Sequence, residues 1–265
     1  SKRQEESGLR LLLIRHGDPD YAHDTLTEKG RREAALLAEE MKGFSKAEFY
    51  VSPLGRARDT AAFTCRQTGK EPRILDWLEE FPAKVDINDS EWLQRAYPDT
   101  RKEGNRFAGR IAWDMLPAYW TSSPEYFDRM LWRNTEVAAH SDLIEKYDRA
   151  AAGLDALLAE HGYARRGNLY QVREPNEETL VFFCHFGISC VLLSHLWGVS
   201  PFVLWHSMAL APTSVTELVT EEREKGYAYF RAVRIGDISH LYTAGEEPSF
   251  AARFCETYEN TSQRH

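Results

Sequence analysis

The chain has 265 residues, 43% of them hydrophobic and 28% charged, with a formal net charge of −8. That is the make-up of a soluble globular protein, long for one compact domain and short for two. No stretch approaches the ~18 consecutive apolar residues of a membrane span, and the negative balance leaves no broad positive field, so membrane and nucleic-acid partners are set aside. The four cysteines, Cys65, Cys184, Cys190 and Cys255, form no C-x-x-C pair or Cys/His cluster. They read as free thiols of a reducing, cytoplasmic setting, without zinc or a disulfide framework. The N-terminal "SKRQEESG" lacks the apolar core of a signal peptide.

In chain order, Leu11 to Ile14 is a continuous apolar run, suited to a central parallel strand buried on both faces. Thr25 to Met41 follows as a helix opened by Thr25 or Thr27, with Ala34, Leu37 and Met41 on one stripe. "AEFYVSP" repeats the strand, Leu54 to Gln67 the helix, ended near Gly69, and "RIL" at 73–75 reads as a third strand. Residues 81–140 break this rhythm, holding nine aromatic side chains from Trp92 to Trp132 without a clean strand–helix alternation, and read as one helical cap inserted into the domain. Most of these rings are expected to form the cap's own small core.

From the N-cap Ser141, Leu143, Ile144, Tyr147, Ala151, Leu154 and Leu158 recur at helical spacing through Ala159. "TLVFFC", 179–184, is the most apolar strand, with a helix from Gly187 to Leu196 behind it. "PTSVTELV" and "YAYFRAVRI" read as a late hairpin at one sheet edge. The pattern predicts a single α/β domain over 1–265: a three-layer α/β/α sandwich with a mostly parallel central sheet and the insertion at about 81–140.

Three apolar runs end on polar residues. "LLLIRHG" delivers Arg15 and His16, "YVSPLGRARDTA" places Arg56 in the first turn of a helix, and "VFFCHFG" delivers His185. Ligands of open α/β sheets bind at the carboxyl ends of the strands, so these groups are expected to converge. Two guanidinium groups, two imidazoles and helix N-termini suit a phosphate, which they bind without a metal or other cofactor. His23, His140, His161, His195 and His206 lack such a context and read as structural.

"LIRHG", "SPLGRARDTA" and "FFCHFG", in that order and followed by "GDISHL", resemble the histidine phosphatase superfamily, also called phosphoglycerate mutase-like. The resemblance covers about residues 9–80 and 141–241. It implies that His16 is the nucleophile that becomes phosphohistidine, that Arg15 and Arg56 bind phosphate, and that His185 contacts and polarises the transferring group. It also implies a carboxylic acid after the third strand. Glu80 of "WLEEF" matches that position, with Glu79 and Asp86 as rivals. The implied partner is a small phosphorylated substrate; nothing in the sequence bears on the oligomeric state.

The chain departs from the family pattern in "RHGDPDYA", where Asp18 and Pro19 replace the usual Glu and Thr/Ser and Ala22 stands about where an Asn would be. Phe186 follows His185 in place of a glycine, and "WLEEFPAKV" lacks the "L-N-E-R-x-Y-G" element of classical mutases. A mutase must return its phosphoryl group before water intervenes, whereas a hydrolase needs only to admit water. The expected activity is therefore phosphomonoester hydrolysis, with a phosphoglycerate mutase or an inactive phosphate-binding module as alternatives.

Overall fold

A strand whose side chains are apolar on both faces is stable only between two other strands and beneath cover on each side. The computed structural model, which describes residues 8–81, 83–251 and 256–260, gives Leu11 to Ile14 that setting. Residues 1–7 of the N-terminal stretch, and Cys255, lie outside the described residues; Cys65, Cys184 and Cys190 are free thiols. The main sheet has eight strands: β1 (Arg10–Arg15), β2 (Glu48–Val51), β3 (Arg73–Ile74), β4 (Tyr163–Arg166), β5 (Leu169–Val172), β6 (Thr179–Cys184), β7 (Val215–Glu224) and β8 (Tyr227–Asp237). Their order is β4-β5-β8-β7-β1-β6-β2-β3.

β1, β6, β2 and β3 pair in parallel. β7 returns antiparallel beside β1, and the outer pairs β7/β8, β8/β5 and β5/β4 are antiparallel too. Followed across the sheet, these pairings leave six of the eight strands running the same way. The β7/β8 hairpin lies inside the sheet and not at its edge as expected, because a second hairpin, β4/β5, adds outside it. Its cue is "RRGNL", where Gly167 takes a φ of 60° at the turn, a conformation open to glycine without strain.

Six helices of six or more residues matter here: α1 (Glu28–Met41), α2 (Gly55–Thr68), α3 (Leu143–Glu160), α4 (Phe186–Trp197), α5 (Pro201–Ser207) and α6 (Ser239–Ala244). α1 starts where its sequence demands: the Thr27 hydroxyl accepts the Gly30 N–H at 3.0 Å. α2 stops at Gly69, which takes a φ of 68° as its C-cap. Leu37, Met41, Ala57 and Ala61 from these helices pack on Leu12, Ile14, Phe49, Val51, Val181 and Phe183 of the sheet. Burying each large side chain is worth roughly 1.5–3 kcal/mol, so the strand ends are held firmly. The opposite side chains, Leu11, Leu13, Tyr50 and Phe182, are buried as well, with Tyr50 stacked on Phe182 at 5.3 Å. The architecture is a mixed α/β fold, a mostly parallel central sheet flanked by helices.

The chain divides into two compact units, one of residues 1–80, 158–189 and 209–265, the other of 81–157 and 190–208. Within the second unit, the described residues of 81–140 hold only three short helices, Glu91–Ala96, Pro117–Trp120 and Glu136–Ala139, among 3-10 turns and two-residue strands. Pro98 follows the first closely and Pro117 starts the second, which Pro124 follows, limiting how far either can extend. Many of the aromatic side chains do form that unit's own core. Tyr97, Trp120, Tyr126 and Trp132 are buried, Trp132 against Tyr147 at 4.9 Å and Tyr126 edge-on to Phe202 at 4.8 Å.

Candidate functional site

Arg15 is the last residue of β1 and His16 the next, so the buried strand delivers both at its carboxyl end. Both side chains are buried. The His16 Nδ1 lies 2.7 Å from the Gly17 carbonyl oxygen. A carbonyl can only accept, so Nδ1 carries the ring proton and Nε2 keeps its lone pair. Burial, and next the charge of Arg15, hold the His16 pKa well below 6.5. The imidazole is neutral at physiological pH, in the form a nucleophile requires.

His185 follows β6, the parallel neighbour of β1, and its ring centroid is 5.1 Å from that of His16. Its Nε2 is 2.7 Å from the Ser52 hydroxyl, at the end of β2. Ser52 Oγ also accepts the Leu54 N–H; when it donates to Nε2, the ring proton of His185 sits on Nδ1. Burial, then the charges of His16, Arg56 and Arg15, hold the His185 pKa well below 6.5. His185 is therefore a neutral donor.

Arg56 lies in the first turn of α2 and is oriented by Asp24, whose carboxylate accepts from Arg56 Nη1 at 2.8 Å. The same carboxylate accepts the Gly55 N–H at 2.6 Å and the Arg56 N–H at 3.3 Å, capping the helix. Burial opposes ionisation of Asp24, but these bonds outweigh it and leave its pKa below the ordinary value. Arg15 spends Nη1 on the carbonyls of Leu210 and Ala251, at 2.6 and 3.0 Å. Three buried donors of this site have no hydrogen-bond partner among the described residues: Arg15 Nε, Arg56 Nε and His185 Nδ1.

Glu80 reaches the same place from just beyond the 3-10 turn Asp76–Leu78 that follows β3. Its Oε1 accepts the Ile188 N–H at 3.0 Å and its Oε2 the Gly187 N–H at 3.2 Å, at the opening of α4 and beside His185. Its charge acts on Arg15. Asp86 lies in the second unit, paired with Asn88 and Arg106. All five residues singled out in the sequence thus belong to one unit, at the carboxyl ends of β1, β2 and β6.

Several supporting residues were not read from the sequence. Asp24, Ser52 and Tyr21 are among them. So is Thr213, whose N–H donates to the carbonyls of Arg15 and His16 at 2.9 and 3.1 Å and whose φ is 62°. Its hydroxyl is 2.9 Å from Nε2 of His240, the histidine of "GDISHL". The polar residues bracketing the apolar runs were a usable cue for Ser52 alone. Among the histidines read as structural, His195 pairs with Asp155 at 2.9 Å, His161 with Glu178 at 2.5 Å and His206 with the Phe202 carbonyl at 2.7 Å. No group of three or more His, Cys, Asp or Glu able to hold a metal occurs among the described residues, and no helix there is long and apolar enough to cross a membrane.

Residues 11–107 match the family described as histidine phosphatase superfamily (branch 1). The likeness to that family is carried by this stretch. Arg15, His16, Arg56 and Glu80 fall inside it and His185 outside. A 2,3-bisphosphoglycerate-dependent phosphoglycerate mutase from Thermoplasma acidophilum is 39% identical over 70 residues, which is 23% of this chain. The match spans 35% of the length of that curated relative.

Solved structures of phosphoglycerate mutase-like proteins share the fold. A mutant phosphoserine phosphatase from Entamoeba histolytica, in complex with phosphoserine, superposes with a TM-score of 0.56 at 18% identity, covering 88% of this chain and 99% of that one. A native mycobacterial glucosyl-3-phosphoglycerate phosphatase gives a TM-score of 0.51 at 19% identity over 84% of this chain and 96% of that one. At these identities the likeness is one of fold.

Proposed function

We propose that this protein is a metal-independent phosphomonoester hydrolase acting through a phosphohistidine on His16. The observation that carries the reading is the His16 ring: Nδ1–H is held by the Gly17 carbonyl, so Nε2 is the free nucleophile, one ring away from His185. Arg15, Arg56 and His185 each keep a buried donor without a partner among the described residues, as an anion-binding set requires.

In this reading Nε2 of His16 attacks phosphorus and the bond to the ester oxygen breaks. The departing oxygen takes the proton of Glu80, whose neutral carboxyl is favoured once a dianionic phosphate lies beside it. The phosphohistidine keeps its Nδ1–H on the Gly17 carbonyl, which offsets the new positive charge of the ring. Water then attacks phosphorus and gives its proton to Glu80; the P–N bond breaks and the lone pair returns to Nε2. The likeness to phosphatase structures and the "DPDYA" sequence favour water over a second alcohol as acceptor; the mutase from Thermoplasma is the ground for the alternative. We also propose that residues 81–140 are an insertion into one catalytic domain that selects the substrate, in a cytoplasmic enzyme.

Brief incubation with a 32P-labelled phosphomonoester should yield an acid-labile, alkali-stable phosphoenzyme, lost in His16→Ala together with turnover. Parental turnover by His16→Ala would overturn the mechanism. Phosphoryl exchange between 2- and 3-phosphoglycerate faster than phosphate release would select the mutase.

A further inference from the structure

A two-stranded hairpin, Pro19–Asp20 with Thr25–Leu26, follows directly on His16-Gly17, and Tyr21 stands at the start of its turn. Both arms are tied down. Thr27 Oγ1 donates to the Asp18 carboxylate at 2.6 Å, Thr25 Oγ1 to Asp59 at 2.5 Å, and Asp24 closes the turn by binding α2. The tip is therefore presented by a braced element and not by a loose loop.

The Tyr21 ring meets two residues of the phosphate site. Its centroid is 6.5 Å from that of His16, edge-on at 82°. The Arg56 guanidinium carbon is 5.2 Å from the ring centroid. The side chain is nonetheless 56% exposed. The ring thus stands between the residues of the phosphate site and solvent, where an ester bound at His16 has room for its alcohol portion. The neighbouring Ala22 supplies no polar side chain to compete for that surface.

We infer that Tyr21 is a specificity-determining residue, the wall against which the alcohol portion of the substrate lies, and that it selects phosphomonoesters of planar, apolar alcohols. The inference rests on the proposed phosphatase reading. A ring braced by a cation on one side offers an apolar, polarisable surface that an aryl group can stack on or meet edge-on. A small polyhydroxyl alcohol would gain nothing from it.

Affinity for non-hydrolysable phosphonates tests this without turnover. By calorimetry, the wild-type protein should bind phenylphosphonate about tenfold more tightly than methylphosphonate. Tyr21→Phe should keep most of that ratio, and Tyr21→Ala should bring it to within about twofold of unity. An unbiased wild-type protein, or a Tyr21→Ala variant with the wild-type ratio, would overturn the assignment. Failure to hydrolyse any member of a broad ester panel, with the phosphonate ratio as expected, would sink the phosphatase reading and leave the Tyr21 wall standing.

Discussion

His16 carries two contacts that act on its reactivity in opposite ways. The Gly17 carbonyl favours the protonated ring, whereas burial and the charge of Arg15 disfavour it, and the second pair prevails. Since the pKa lies well below 6.5, the neutral imidazole persists through mildly acidic conditions, and if it is the proposed nucleophile the acid limb of a pH–rate profile should fall below that value. Replacing Arg15 by Leu removes the second-largest cause and should move the His16 titration upward, yet not to 6.5, because burial, the largest cause, remains. Imidazole NMR titration of both proteins checks this; an unchanged midpoint would refute the coupling. The identities of Arg15, His16, Arg56 and His185 were legible in the sequence because each interrupts or follows an apolar run. Tyr21 and Asp24 were not, since their partners are brought to them by the fold: Asp24 binds Arg56 from 32 positions away.

At the scale of elements, the site is a set of termini. β1 leads directly into His16 and β6 into His185, and the first turns of α2 and α4 bring Arg56 and the amides that hold Glu80. The hairpin fits against α2 with no room to spare, for a Cβ on Gly55 would stand 2.1 Å from the Asp24 carbonyl oxygen. Gly55→Ala should therefore displace the turn that orients Arg56. Asp24→Asn is the milder probe, keeping an oxygen for the helix amide but losing the charge on Arg56. It is expected to lower kcat/KM about tenfold, chiefly through KM, with about 1 kcal/mol or less of stability lost; steady-state kinetics beside thermal melts separate the two. Most elements of the first unit follow from periodicity and capping. The β4/β5 hairpin escaped it because "YARRGNLYQV" alternates weakly, and its strands are defined by pairing with β8 more than by their own composition. The aromatic segment is legible as an interruption and little else, since short helices broken by proline leave no period to read.

Across the whole molecule, one buried carboxyl links segments far apart in sequence. Glu33 on α1 accepts the Asp18 N–H at 2.8 Å, two residues beyond His16, and Asp18 in turn is hydrogen-bonded to Ser249 near the end of the described chain. Burial pushes the Glu33 pKa up to about 7 from 4.5. Its folded pKa exceeds the unfolded one, so the folded state holds a proton that the unfolded chain gives up. Stability should therefore fall as pH rises from about 4.5 to about 7, and stay lowered above that. Glu33→Gln keeps an acceptor for Asp18 and cannot ionise. Its melting temperature should exceed the wild type's at pH 8, by on the order of 2 kcal/mol in stability, with the gap closing toward pH 4.5. A gap independent of pH would refute the assignment.

The pairing of β1 has a consequence for how the protein comes into being. Arg10 pairs with Thr179 on one side and with Val219 on the other, so the first strand of the sheet finds both neighbours only in the last third of the chain. Closing such long loops is slow, because their entropy must be lost before any contact compensates. On a ribosome the apolar "LLLI" emerges first and waits while more than two hundred residues are made. The strand that presents His16 is thus the earliest part of the site to be synthesised and among the last to be set in place, a long interval in which its exposed surface is open to chaperones.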